Sequence, residues 1–129
     1  MKVFVYGLLA VGMRHYGSSE LIVGEGYYLE RDRNNPHDEN AVAVVERFSG
    51  RKRASLKRDA AAIVAALFDC HAIHISNGKV ALKPKSPATF HSRRIGNAQR
   101  CNIAFMCRNE NREAVTELLS EYPCRFRIA

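Results

Sequence analysis

Arg47, Arg51, Lys52, Arg53, Lys57 and Arg58 fall within twelve residues of one another. Cations gathered this way neutralise phosphates and release their counterions, which suits a nucleic-acid partner; a solvated basic strand has the same composition. On a strand Arg51, Arg53 and Lys57 share a face and Lys52 points away, so the six do not all converge. Upstream, Gly12-Met13-Arg14-His15-Tyr16-Gly17 sets a guanidinium, an imidazole and a phenol in succession between two glycines. The glycines allow a sharp turn or a close backbone approach, and the flat side chains can stack on bases. The same turn could instead fold Tyr16 onto a core. A third cluster runs Arg31-Asp32-Arg33-Asn34-Asn35-Pro36-His37-Asp38-Glu39-Asn40-Ala41. Asn and Asp side chains satisfy backbone amides in tight turns, and Pro36 stiffens this one. Asn34, Asn35 and Asp38 also offer donors and acceptors to a base edge or a terminal sugar hydroxyl.

Other chemistries find less support. Cys70-His71-x-x-His74 brings three potential ligands together, but strand alternation points the two histidines to opposite faces. Cys101 and Cys107 are not the tight second pair that a zinc site uses. His37-Asp38 and the cysteines leave a small nuclease or phosphoesterase open, although no spaced set of carboxylates suits two-metal phosphodiester chemistry. GxxxxGK[ST], GxSxG and HExxH are all absent. No cofactor, no metal and no catalysis are expected.

The elements that would position these clusters follow from composition and periodicity. With 129 residues, 47% of them hydrophobic, and a formal net charge of +7, one domain spanning the whole chain is expected. The apolar start carries one basic residue and is interrupted by Tyr6-Gly7, which reads as a buried strand rather than a secretion signal. No apolar run reaches the roughly 18 residues of a membrane span. Four widely spaced cysteines read as reduced thiols, and the expectation is an intracellular protein of the nucleus or cytoplasm with no membrane partner. Strands are expected over 2–13, 20–31, 41–45, 51–57, 102–107 and 124–128, with a hairpin of 71–76 and 79–83 around Asn77-Gly78. Asp59 should cap a helix that buries Ile63, Val64, Leu67 and Phe68. A second helix starts at about Asn109 or Asn111 and buries Ala114, Val115, Leu118, Leu119 and Tyr122. Residues 84–99, with Arg93-Arg94, read as a loop. The fold class is α+β, mainly β, with a curled or barrel-like sheet.

Three stretches together resemble the HIRAN domain family: Val11-Gly12-Met13-Arg14-His15-Tyr16, Arg31 to Val44 with its Asn35-Pro36-His37-Asp38-Glu39-Asn40-Ala41, and Ala54-Ser55-Leu56-Lys57-Arg58-Asp59-Ala60-Ala61. The family pattern is a V-G-x-R-Y-Y-like turn, then R-D-P-x-N-P-Y-D-x-N-A-I-x-V, then V-G-x-L-x-[KR]. The similarity extends from about residue 4 to 119. It implies an OB-like six-stranded barrel with two helices that captures the 3′ end of single-stranded DNA. By the same resemblance Asp38 reads the terminal hydroxyl, and Arg14, His15 and Tyr16 stack on bases and contact phosphates. Asn34, Asn35, His37, Ser55, Lys57 and Arg58 would complete the site, with Phe105 as a stacking ring. His15 and His37 stand where the family has aromatic residues, Arg33 where it often has proline, and Ala54-Ser55 where it has Gly followed by a residue that can be His. The implied function is non-enzymatic and linked to DNA repair or replication-fork processing. Its implied partners are single-stranded DNA and a separate helicase or nuclease, and the protein is expected as a monomer. The alternative is a protein- or RNA-interaction module on the same scaffold.

Overall fold

The computed structural model describes all 129 residues. In chain order it contains β1 (Lys2–Val11), a 3-10 turn (Met13–Tyr16), β2 (Tyr27–Arg31), β3 (Val42–Glu46), β4 (Lys52–Leu56) and α1 (Arg58–Asp69). There follow β5 (Ile75–Pro84), β6 (Thr89–Ser92), β7 (Gly96–Cys107), a second 3-10 turn (Asn109–Asn111), α2 (Arg112–Ser120) and β8 (Arg125–Ile128).

Alternation makes the barrel. Along β1, Val3, Val5, Leu8 and Ala10 point inward, and the phase is kept across Gly7 by a bulge. There the Gly7 amide donates to Asn102 Oδ1 at 3.1 Å. β1 runs antiparallel to β7 from Lys2↔Met106 to Val11↔Ala98. That pairing closes β7-β5-β2-β3-β4-β1 into a six-stranded barrel, with β6 added outside β7 and β8 outside β1. Closure gives each of the six strands a neighbour on both sides, and the short β6 and β8 end the sheet. Ile63, Val64 and Leu67 of α1 join the barrel residues, as do Val115 and Leu119 of α2, in one core of 26 buried side chains.

Several sequence expectations are corrected here. The first strand ends at Val11, since Gly12 and Gly17 are left-handed and enclose the 3-10 turn. The second strand begins at Tyr27 rather than at residue 20. Its expected first half is instead held by Gln99, which is 0% exposed. The Leu21 amide donates to Gln99 Oε1 at 2.7 Å, and Gln99 Nε2 donates to the carbonyls of Leu21 at 2.9 Å and Ser86 at 3.0 Å. One side chain thus satisfies the buried backbone that a ladder would otherwise satisfy.

The hairpin at Asn77-Gly78 does not form. Both residues have φ of 61°, but the chain continues in one direction, with Ile75↔Cys107 and Val80↔Phe105 on the same partner strand. Residues 76–79 bulge out opposite Met106 alone, because the positive φ values of a tight turn also serve a bulge. The expected loop over 84–99 is largely sheet: β6 pairs with the start of β7, and Arg93 and Arg94 sit at the turn between them. Asp59 does not cap α1. Lys57 is the cap residue, and Asp59 lies in the first turn, where its charge complements the helix dipole.

No helix is long and apolar enough to cross a membrane. All four cysteines are unpaired, and burial pushes the Cys101 thiol up to about 12.

Candidate functional site

The corner between β2 and β3 is built from its own side chains. The Asn35 carboxamide oxygen accepts from the His37 amide at 2.9 Å, and Asp38 Oδ1 accepts from the Asn40 amide at 2.9 Å. These Asx turns are the structural use of Asn and Asp expected from the sequence, and they fix the direction of the Asp38 carboxylate. From α1, Arg58 Nη2 donates to the His37 carbonyl at 3.1 Å while its Nε lies 3.9 Å from Asp38 Oδ2. The Asp38 side chain is 20% exposed and that of Arg58 76%. The result is a recessed acceptor with Oδ1 committed to an amide and Oδ2 without a hydrogen bond, facing the Arg58 cation. His37 is exposed and contributes only its backbone; Asn34 is exposed as well.

Arg31 ties this corner to the helix. Its Nη1 donates to Asp69 Oδ1 at 2.7 Å and reaches the Ala65 carbonyl at 3.5 Å, while Nη2 donates to the Glu39 carbonyl at 3.0 Å. Its Nε is buried without a partner. The bond from Arg31 holds the Asp69 carboxyl below its ordinary range. Arg31 opens the corner motif in the sequence, and nothing in that pattern announced its bridging role.

Across β4 lies the turn that carries Arg14, His15 and Tyr16. Gly12 and Gly17 have φ of 73° and 86°, a region that costs a side chain roughly 1–2 kcal/mol. Met13 plugs into the core, leaving Arg14 and His15 exposed and Tyr16 half-buried. Arg14 and His15 line a cleft of about 220 Å³ together with Arg93, Arg94 and Asn97 of the β6–β7 hairpin. The two hairpin arginines join the site because 84–99 is sheet rather than loop.

Ser55 stands between the two clusters, paired with Val11 on one side and Ala43 on the other. The strand entering the turn and the strand leaving the corner are therefore two strand spacings apart, roughly 10 Å. Lys57 is half-buried beside them; its amide donates to the Leu9 carbonyl at 2.9 Å and its Nζ lies 3.5 Å from Asp59 Oδ1.

Phe105 is a correction. It is 3% exposed, packs in the barrel core and offers no face to a base. Its place on β7 follows inward alternation between Ile103 and Cys107. The exposed ring beside the cleft is Phe90, 70% exposed and paired in register with Asn97. The misread loop concealed it. No group of three or more His, Cys, Asp or Glu side chains is placed to hold a metal ion.

A closed six-stranded barrel with a basic, hydrogen-bonded rim defines an OB-like binding domain. Residues 3–108 match the HIRAN domain family, and the chain belongs to it. No curated protein matches by sequence. Among solved structures, the crystal structure of the HIRAN domain of human HLTF is similar, with a TM-score of 0.67 and 24% identity over 95% of this chain and 93% of that one. The NMR structure of the HLTF HIRAN domain gives 0.62 and 23% over 95% and 89%. Its NMR structure in a DNA-bound conformation gives 0.55 and 24% over 91% and 88%. Likeness at these identities establishes the shared fold.

Proposed function

We propose that this domain binds single-stranded DNA and holds a free 3′ end at the Asp38–Arg58 corner, without catalysing a reaction. The observation that carries this reading is the recessed Asp38 carboxylate, fixed by the Asn40 amide and flanked by Arg58. A terminal 3′-hydroxyl donates to Oδ2, whereas a 3′-phosphate there meets like charge. Arg58 neutralises the adjoining phosphodiester. Arg14, Arg93 and Arg94 take phosphates further along, and His15, Tyr16 and Phe90 supply flat faces for splayed bases. Asn34, His37, Ser55 and Lys57 line the path between the two clusters. The +7 charge and a family relative with a DNA-bound structure support the choice of ligand. Cys101, Cys107 and Cys124 fit the role of a nucleophile poorly, because burial raises these thiols rather than lowering them. In a cell the domain would act as a monomer on ends arising in repair or fork processing and pass them to a separate helicase or nuclease.

Fluorescence anisotropy with matched 3′-hydroxyl and 3′-phosphate oligonucleotides tests this. The hydroxyl strand should bind about tenfold tighter or more, the value of one hydrogen bond to a charged group. Asp38→Asn, which keeps the bond from Asn40, should erase the difference. Equal binding of both strands by the wild type removes end capture, and no binding at low salt removes DNA.

A further inference from the structure

A depression of about 500 Å³ lies on the outer wall of the barrel and includes none of the residues placed at the end site. Outward positions of a solvated sheet are ordinarily polar. Here Phe4 and Tyr6 of β1 and Tyr28 of β2 face outward, around a floor of Ala81 and Ala104. The Phe4 and Tyr6 rings lie with centroids 6.3 Å apart and planes 9° from parallel. Cations accompany every ring. On β8, Arg127 and Arg125 pair in register with Phe4 and Tyr6, their guanidinium groups 5.0 and 5.3 Å from the ring centres. Lys79 and Arg47 lie 4.8 and 5.6 Å from Tyr28.

The charge is one-sided. Lys2, Arg47, Lys83, Lys85 and Arg127 line the depression, and no carboxylate does. None of these cations, nor Arg125, forms a salt bridge; those of the molecule use Arg31, Lys52, Lys57, Arg58 and Arg108. Cations alone would suit any acidic partner. Cations interleaved with half-buried, outward-facing rings, Phe4 and Tyr6 parallel among them, over a floor of small residues suit a chain that alternates phosphates with flat bases. We infer that this wall is a second binding surface, which carries the body of a single nucleic-acid strand. The choice of ligand rests on the DNA-binding reading above, but the surface is separate. Tyr6 and Val11 are five residues apart on β1, roughly 16 Å, so the wall and the end site occupy different stretches of the barrel. OB-type domains cover about 4–16 nucleotides, enough for one strand to visit both.

The test uses a 20-nucleotide oligothymidylate and a variant carrying Arg125→Gln with Arg127→Gln. Affinity should fall at least about tenfold, and the slope of log affinity against log salt should shrink by about 1.4, two phosphate contacts' worth on a single strand. The preference for a 3′-hydroxyl over a 3′-phosphate should survive. In the wild type, amide shifts on titration should include Phe4, Tyr6, Ala81 and Ala104, which reads the wall without any substitution. An unchanged affinity and slope in the variant, or wall amides that stay put at saturation, overturns the proposal. Loss of the 3′-hydroxyl preference with the wall effects intact sinks end capture alone, whereas intact preference with a silent wall sinks this surface alone.

Discussion

In the corner between β2 and β3, Arg31, Asn35, Asp38 and Arg58 are each tied to backbone groups, whereas in the turn after β1 the side chains of Arg14, His15 and Tyr16 make no hydrogen bond within the chain. The two regions are fixed by different means. The corner gets its shape from side chains, so its carboxylate arrives already aimed. The turn gets its shape from two left-handed glycines and the buried Met13, which leaves its cation and rings free to adapt. A site assembled from both pairs a preset acceptor with contacts that no internal hydrogen bond fixes. Such a division suits a ligand with one distinctive end and a variable body, since ordering fewer groups on binding costs less where geometry is already set.

That contrast can be broken from either side. Arg31→Met removes the bridge from the corner to α1 and should cost about 2 kcal/mol in chemical denaturation, as a nearly buried guanidinium with three acceptors is lost. Amide exchange at Asn40 and Ala41 should quicken more than at Met13–Tyr16. Equal quickening would mean that the two regions are not independently built. Gly12→Ala should cost about 1 kcal/mol through its φ of 73°, with the corner's exchange rates unaltered. Asp69→Asn should cost less than about 1 kcal/mol, because the pair with Arg31 is half exposed and screened. The sign with pH is set: Asp69 is held below its ordinary 3.8, so its contribution is full above that value and fades as pH falls through the lowered one. Wild type and variant should then converge in acid. Arg14→Ala should change stability by less than about 0.5 kcal/mol, as an exposed side chain with no partner. It should instead weaken DNA binding and reduce the salt slope by about 0.7. A substantial stability loss there would show that the turn depends on its side chains after all.

Much of this was readable before the fold was known, for identifiable reasons. Inward alternation through Val3, Val5, Val44 and Ile103, and the 3.6-residue spacing of Ile63, Val64 and Leu67, report burial directly. The corner was readable because Asn35 and Asp38 act on amides two residues ahead, a local rule. What was missed depends on partners distant in sequence. Gln99 holds Leu21 from 78 residues away, and Arg31 reaches Asp69 across 38. Asn77-Gly78 obeys its local preference for positive φ, yet only the continued pairing with β7 decides between bulge and hairpin. The weak periodicity of 84–99 hid β6, and with it the exposed Phe90, while the motif match drew Phe105 into a role that its inward face forbids.

The central claim is that the corner and the turn, flanking β4, receive one strand end together. An NMR titration with a short 3′-hydroxyl oligonucleotide addresses it most directly. Shifts should concentrate at Asn35–Asn40 and Arg58 on one side of β4 and at Met13–Tyr16 and Arg93–Asn97 on the other, saturating with a single affinity. Shifts confined to one of these clusters, or spread evenly over the basic surface, would contradict it.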